Sequence, residues 1–210
     1  MPRPRFERLD AVKRDGILDA AEQEFAAHGY SRASYNRVIE HAGVSKGAMY
    51  YYFDDKADLY LTVVRRAFSG VLEAVGEVDE TDSPDGFWAQ CIMAGERVAA
   101  YLGRDPRRAE LARGLMRSLG EAPPGVREVF DEARVPIQRL LEAGQRAGAV
   151  RDDLPIGLLV AMSLSLGEAM DSWISHNWET LESGGYTALE PKLLGVFQRL
   201  CAPVSVAGYA

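Results

Sequence analysis

Cysteine and histidine are scarce, and their scarcity removes whole classes of chemistry: the 210 residues include two cysteines and three histidines. Cys91 and Cys201 are too few and too far apart in sequence for a disulfide framework or a thiolate metal cluster, so both are expected as buried or half-buried free thiols. His28, His41 and His176 show no ligand spacing with one another or with the acids, so no metal site is expected. A glycine-rich phosphate loop and a nucleophile elbow are missing as well. The adjacent acids Asp54-Asp55 and Asp152-Asp153 stand at predicted helix starts, where carboxylates cap amides rather than work as general acid and base. The expectation is a protein that is not an enzyme and takes no cofactor.

Long apolar runs are also absent. The longest weakly polar stretch, Ile156 to Gly167, is too short to cross a bilayer and is broken by serines, while residues 1–30 alternate charges with no apolar leader. No membrane partner is expected, and the expected location is the cytoplasm. The last absence is a surplus of positive charge. The formal net charge is −7, and residues 1–58 hold nine Lys/Arg against ten Asp/Glu. Any contact with a polyanion must come from local placement of cations, with Glu22, Glu24 and Glu40 turned away. Arg3, Arg5, Arg8, Lys13 and Arg14 gather at the N-terminus, as a flexible arm reaching phosphates or as a solvated tail.

What is present is a helical pattern with a 47% hydrophobic content, enough for one substantial core or two smaller ones. Residues 42–53, Ala-Gly-Val-Ser-Lys-Gly-Ala-Met-Tyr-Tyr-Tyr-Phe, read as the turn and second helix of a helix-turn-helix. Gly43 permits the left-handed conformation that ends the segment from Ser34 to Ala42. Val44 turns inward, Ser45 is a good N-cap, and Lys46, Gly47 and Ala48 form an exposed first turn slim enough to enter a major groove. Lys46 and Lys56 both fall in first turns, where a cation opposes the helix dipole by roughly 0.3–1 kcal/mol and an incoming phosphate would relieve the conflict. Ser34, Lys46, Tyr50, Tyr51, Tyr52 and Lys56 are therefore candidate clamps on a DNA backbone.

The wider pattern is more specific. Arg14-Asp15-Gly16-Ile17-Leu18-Asp19-Ala20-Ala21, Phe25, Gly29-Tyr30, Ala33-Ser34, Ala42 to Gly47, Tyr50, Tyr52-Phe53, Lys56 and Leu59 closely resemble the DNA-binding domain of tetracycline-repressor (TetR) family regulators, over roughly residues 10–65. The resemblance implies an all-α homodimer of about nine helices. A three-helix DNA-binding domain at 1–55 would bind a double-stranded operator, and a helical domain at 56–210 would bind a small-molecule effector of unknown class and dimerise. Carried over by position, operator contacts fall on Ser34, Ser45, Lys46, Gly47, Ala48, Tyr50, Tyr51, Tyr52 and Lys56. The family usually has threonine at Ala33, a small aliphatic residue at Tyr35 and an isoleucine-alanine pair at Val38-Ile39. Tyr35 and Ile39 meet on one helical face, so either the packing under the recognition helix is adjusted or Tyr35 projects toward DNA.

Further helices follow. Lys56 opens one that runs to about Val78, Ser83-Pro84 and Asp105-Pro106 open two more, and Val126 to Gly148 reads as one long helix kinked at Pro136. Leu159, Met162, Leu166, Met170 and Trp173 stripe a helix from Pro155 to about Glu182. A capping box at Thr187 to Glu190 opens a last one, striped by Leu189, Leu193, Phe197 and Leu200. In the resembling family this pair builds the dimer, which would space two recognition helices about 34–36 Å apart for an inverted repeat. Candidate effector-pocket residues are Trp88, Cys91, Glu96 and Tyr101, then Arg113, Met116, Arg117 and Phe130, and finally Met170, Trp173 and His176. The function expected is an effector-released repressor. The alternatives are an effector-independent regulator or activator, and a helical small-molecule-binding protein that keeps a helix-turn-helix only for packing.

Overall fold

The computed structural model describes residues 2–77, 79, 81–117, 122–132, 134–181 and 185–203, and the side chains of 115–117, 186, 187 and 190 lie outside that description. Regular structure among the described residues is helical: α1 (Pro4–Glu7), α2 (Ala11–Arg32), α3 (Tyr35–His41), α4 (Lys46–Tyr52), α5 (Lys56–Val75), α6 (Pro84–Gly103), α7 (Pro106–Arg117), α8 (Val126–Asp131), α9 (Arg134–Arg146), α10 (Ile156–His176), α11 (Trp178–Leu181) and α12 (Gly185–Cys201).

Short polar caps set the helix starts. The Asp10 carboxylate accepts from the Lys13 amide at 2.9 Å, Asp55 from the Asp58 amide at 2.8 Å, Ser83 from Gly86 at 3.1 Å and Asp105 from Arg107 at 3.0 Å. Each takes one of the amides that a first turn leaves without a partner. α2 is broken near its end at Gly29, whose φ of 66° a side chain would resist, so His28 closes the long part of that helix.

The helix from Val126 is not one long kinked rod. It divides into α8 and α9, and Pro136 is the third residue of α9, where its missing N–H forfeits no helical bond. α10 stops at His176, before the expected Glu182, where the Asn177 side chain donates to the Trp173 carbonyl at 2.8 Å. α12 starts at Gly185, upstream of the expected capping box; the Thr187 and Glu190 side chains lie outside the described residues. These divisions, with the single turns α1 and α11, raise the count above the nine helices expected.

Packing gathers the chain into two compact units, residues 1–74 with 98–130 and residues 75–97 with 131–210. In the first, Ile17, Phe25, Val38, Met49, Phe53, Leu59 and Tyr60 form a core that continues into Leu111, Val126 and Val129. α2 lies along α7 in that unit. The helix-turn-helix therefore shares one apolar interior with α5, α7 and α8, and packing does not divide at the boundary between residues 55 and 56. The second unit closes around Phe87, Leu141, Val150, Leu159, Val160 and Cys201, with Trp88 and Cys91 against them. Burial pushes the Cys91 thiol up to about 11 and raises Cys201 as well, so neither is a ready nucleophile. No helix among the described residues is long and apolar enough to cross a membrane, and no cluster of three or more His, Cys, Asp or Glu could hold a metal ion.

Candidate nucleic-acid interface

α3 and α4 are joined by the turn that the sequence predicts. Gly43 has φ 63°, the conformation that ends α3, and the Val44 amide returns to the Ile39 carbonyl at 3.3 Å. The Ser45 hydroxyl accepts from the Ala48 amide at 3.1 Å, which fixes the start of α4. Met49 and Tyr52 turn into the core at 0% and 8% exposure, while Lys46, Gly47, Tyr50 and Tyr51 stay on the outside. Positions 47, 50 and 51 are three and four residues apart, so they share one outward face.

The expected contact residues separate on this geometry. Lys46, Gly47, Tyr50 and Tyr51 are presented to solvent; Ala48 is half-buried, and the Ser45 hydroxyl is committed to its cap. Tyr52 is turned inward against Phe6, with ring centres 6.1 Å apart, so its side chain is not available to a ligand. Tyr35 packs edge-on against Tyr50 at 5.4 Å with its hydroxyl buried, and burial raises its pKa. The adjusted packing holds here, and Tyr35 supports the recognition helix from behind. Lys56 is a further correction. Its ammonium donates to the carbonyls of Tyr30, Ser31 and Ala33 at 2.8, 3.3 and 3.2 Å and lies 4.6 Å from the Tyr30 ring centre, so its three hydrogens are already in use.

Buried carboxylates that the sequence pattern did not reveal hold the frame. Glu24 is 3% exposed; it accepts a forked hydrogen bond from the single N–H of Arg37 Nε, 3.0 Å to each oxygen, one from Nη2 at 2.6 Å and one from the Ser34 amide at 2.6 Å. Burial alone would raise the Glu24 pKa, but these hydrogen bonds and the Arg37 charge outweigh it, and the net shift is downward. Ser34 is tied up likewise, its hydroxyl accepting from the Arg37 amide at 3.4 Å. Glu22 is engaged by Arg66, which also reaches Asp19 at 2.7 Å. Acid-base pairs thirteen residues or more apart leave no periodic trace, so only the fold brings them together.

The comparisons with known proteins agree with this geometry. Residues 17–63 match the family model described as bacterial regulatory proteins, tetR family. Over 182 residues the chain is 31% identical to the HTH-type transcriptional repressor AcnR of Corynebacterium diphtheriae, with 84% of this chain and 85% of that protein covered. The chain belongs to the tetR family. It is accordingly a DNA-binding transcriptional regulator. Two solved structures share the fold. The fatty acid degradation regulator FadR from Bacillus halodurans is 22% identical, with a TM-score of 0.67 over 91% of this chain and 97% of that one. FadR from Bacillus subtilis, solved in complex with stearoyl-CoA, is 18% identical, with a TM-score of 0.68 over 87% and 96%.

Outside the tetR-family motif the expected effector residues are divided between the two units. Trp88 stacks edge-on against Phe87 at 5.1 Å in the second unit, with Cys91 in the same core. Glu96 and His176 are exposed, and His176 Nδ1 meets its own helix at the Ser172 carbonyl, 2.7 Å away. Met170 is half-buried and Trp173 is 54% exposed. In the first unit, Arg113 pairs with Glu110 at 2.8 Å and Phe130 packs against Phe68 at 5.9 Å. The side chains of Met116 and Arg117 lie outside the described residues. A cleft of about 320 Å³ in the first unit is lined by Asp15, Asp19, Glu22, Arg66, Asp105, Arg107 and Arg108, with Tyr101 alone of the expected effector residues. Its arginines are engaged: Arg107 holds Asp105, whose pKa falls to about 2, and Arg108 lies over the Tyr101 ring. This is an ion-paired joint between helices, unlike an apolar ligand cavity.

Proposed function

We propose that the protein is a homodimeric repressor that reads an inverted-repeat operator in the cytoplasm and is released by a small-molecule effector. The carrying observation is α4 itself: a capped two-turn helix whose outward face holds Lys46, Gly47, Tyr50 and Tyr51 and whose inner face is locked by Met49 and Tyr52. Lys46, Tyr50 and Tyr51 contact phosphates, and Gly47 lets the backbone approach the groove. In this reading residues 1–55 bind DNA and residues 56–210 bind the effector and the second subunit.

Exposed apolar residues support dimerisation through the last helices. Leu158, Trp173 and Val196 on α10 and α12 are 45%, 54% and 37% exposed, a poor arrangement for a face left in water. Trp173 then belongs to the interface and not to the effector pocket. The effector shifts the population toward a conformer whose heads no longer match adjacent major grooves. Long-chain acyl-CoA thioesters are the first class to assay, because the Bacillus subtilis relative was solved with stearoyl-CoA. The test is selection of random duplex DNA by the purified protein, followed by competition with acyl-CoA. An enriched inverted repeat supports the reading; a single-subunit protein that enriches no sequence refutes it.

A further inference from the structure

The N-terminal segment, expected as a flexible arm or a solvated tail, is neither. It folds as α1, and Arg3, Arg5 and Phe6 fasten it to the end of the recognition helix and the two residues that follow. Phe6 is 2% exposed and sits 4.6 Å from the Phe53 ring centre. The Arg3 amide donates to the Tyr52 carbonyl at 3.0 Å, and the Arg3 guanidinium pairs with Asp54. Arg5 lies over the Tyr51 ring, 4.1 Å from its centre.

These contacts place two cations where they alter the face of α4. Asp54 lies two residues past the end of α4, beyond the extended Phe53, and its exposed carboxylate would repel a phosphate brought to that end of the helix. Arg3 cancels that charge. Tyr51 is 46% exposed, and Arg5, itself exposed, holds its planar guanidinium over that ring. A flexible arginine would pay conformational entropy on binding; one fixed by a ring and a buried phenylalanine pays less.

We infer that α1 is part of the DNA-reading surface: Arg5, positioned by Tyr51, binds a backbone phosphate of the duplex beside the groove that α4 enters, and Arg3 masks Asp54. This deepens the proposed function and rests on it. The test measures affinity for the selected operator at fixed salt, in the full-length protein. Arg5→Ala should weaken binding about fivefold to tenfold, the size of a charge-assisted contact made once in each subunit, without changing thermal unfolding. Arg5→Lys should recover part of the loss, because the charge remains and the flat stack does not. Arg3→Ala should also weaken binding, and adding Asp54→Asn should restore it, since the unmasked carboxylate is then gone. If the wild type binds its operator and Lys46→Ala weakens it while Arg5→Ala and Arg3→Ala do not, this inference fails and the function stands. If the wild type selects no DNA, both fail together.

Discussion

Lys46 opens α4 and Lys56 opens α5, and the two first turns put the same side chain to opposite uses. Lys46 is exposed on the outward face, and among the described residues it meets no carboxylate. Lys56 is bent back over the Tyr30 ring into the carbonyls of Tyr30, Ser31 and Ala33, where the chain leaves α2 after its break at Gly29. Each lysine opposes the dipole of its own helix. Lys56 resolves the conflict inside the protein by serving the carbonyl end of another helix, and Lys46 leaves it open for a phosphate. A lysine at a helix start is therefore a candidate nucleic-acid contact only when no exposed carbonyl end lies within its reach.

That contrast can be broken from either side. The largest effect should come from Lys56→Ala, which strands three carbonyls and removes charge-assisted hydrogen bonds. Urea unfolding should show a loss of about 2 kcal/mol. A smaller loss than that of an exposed lysine substitution would mean that Lys56 is not bound as described. Lys46→Ala should do the reverse, leaving the urea midpoint in place and weakening operator binding by about 1 kcal/mol per subunit. Ser45→Ala, which removes the cap of α4, should lower stability by about 1 kcal/mol and speed hydrogen exchange at the Ala48 amide. The smallest effect concerns acid. The folded pKa of Glu24 lies below its ordinary 4.5, so its stabilising contribution is complete above that value and fades as pH falls through the lowered one. As pH falls below 4.5 the wild type should lose more stability than Glu24→Gln; parallel acid limbs would refute the Arg37 and Ser34 contacts.

The same two lysines show how far the sequence could be read. The glycine at 43, the cap at Ser45 and the tip at Lys46 are local signals, each set by neighbours within one turn, and the structure reproduces all of them. The role of Lys56 was not legible, because its partners lie 23 to 26 residues away. Phe6 is a similar case: one apolar residue among arginines carries no period, yet it anchors α1 under the recognition helix. Glu24 carries only the expectation of facing away from DNA, and its pairing with Arg37 is not legible, since a buried ion pair across two helices has no sequence spacing of its own. The effector candidates carry a related ambiguity. Aromatic and methionine residues at helical spacing fill cores as readily as they line cavities, and Trp88, Phe130 and Cys91 pack in cores of separate units.

The central claim is that the outward face at the start of α4 meets DNA phosphates while the start of α5 does not. The most direct measurement is the salt dependence of operator affinity for the wild type and Lys46→Ala, with folded Lys56→Met as the control. The account predicts that Lys46→Ala reduces the slope of log K against log salt by about two per dimer, one phosphate contact from each subunit, and that Lys56→Met leaves it unchanged. An unaltered slope for Lys46→Ala, or the reduction appearing in Lys56→Met instead, would contradict it.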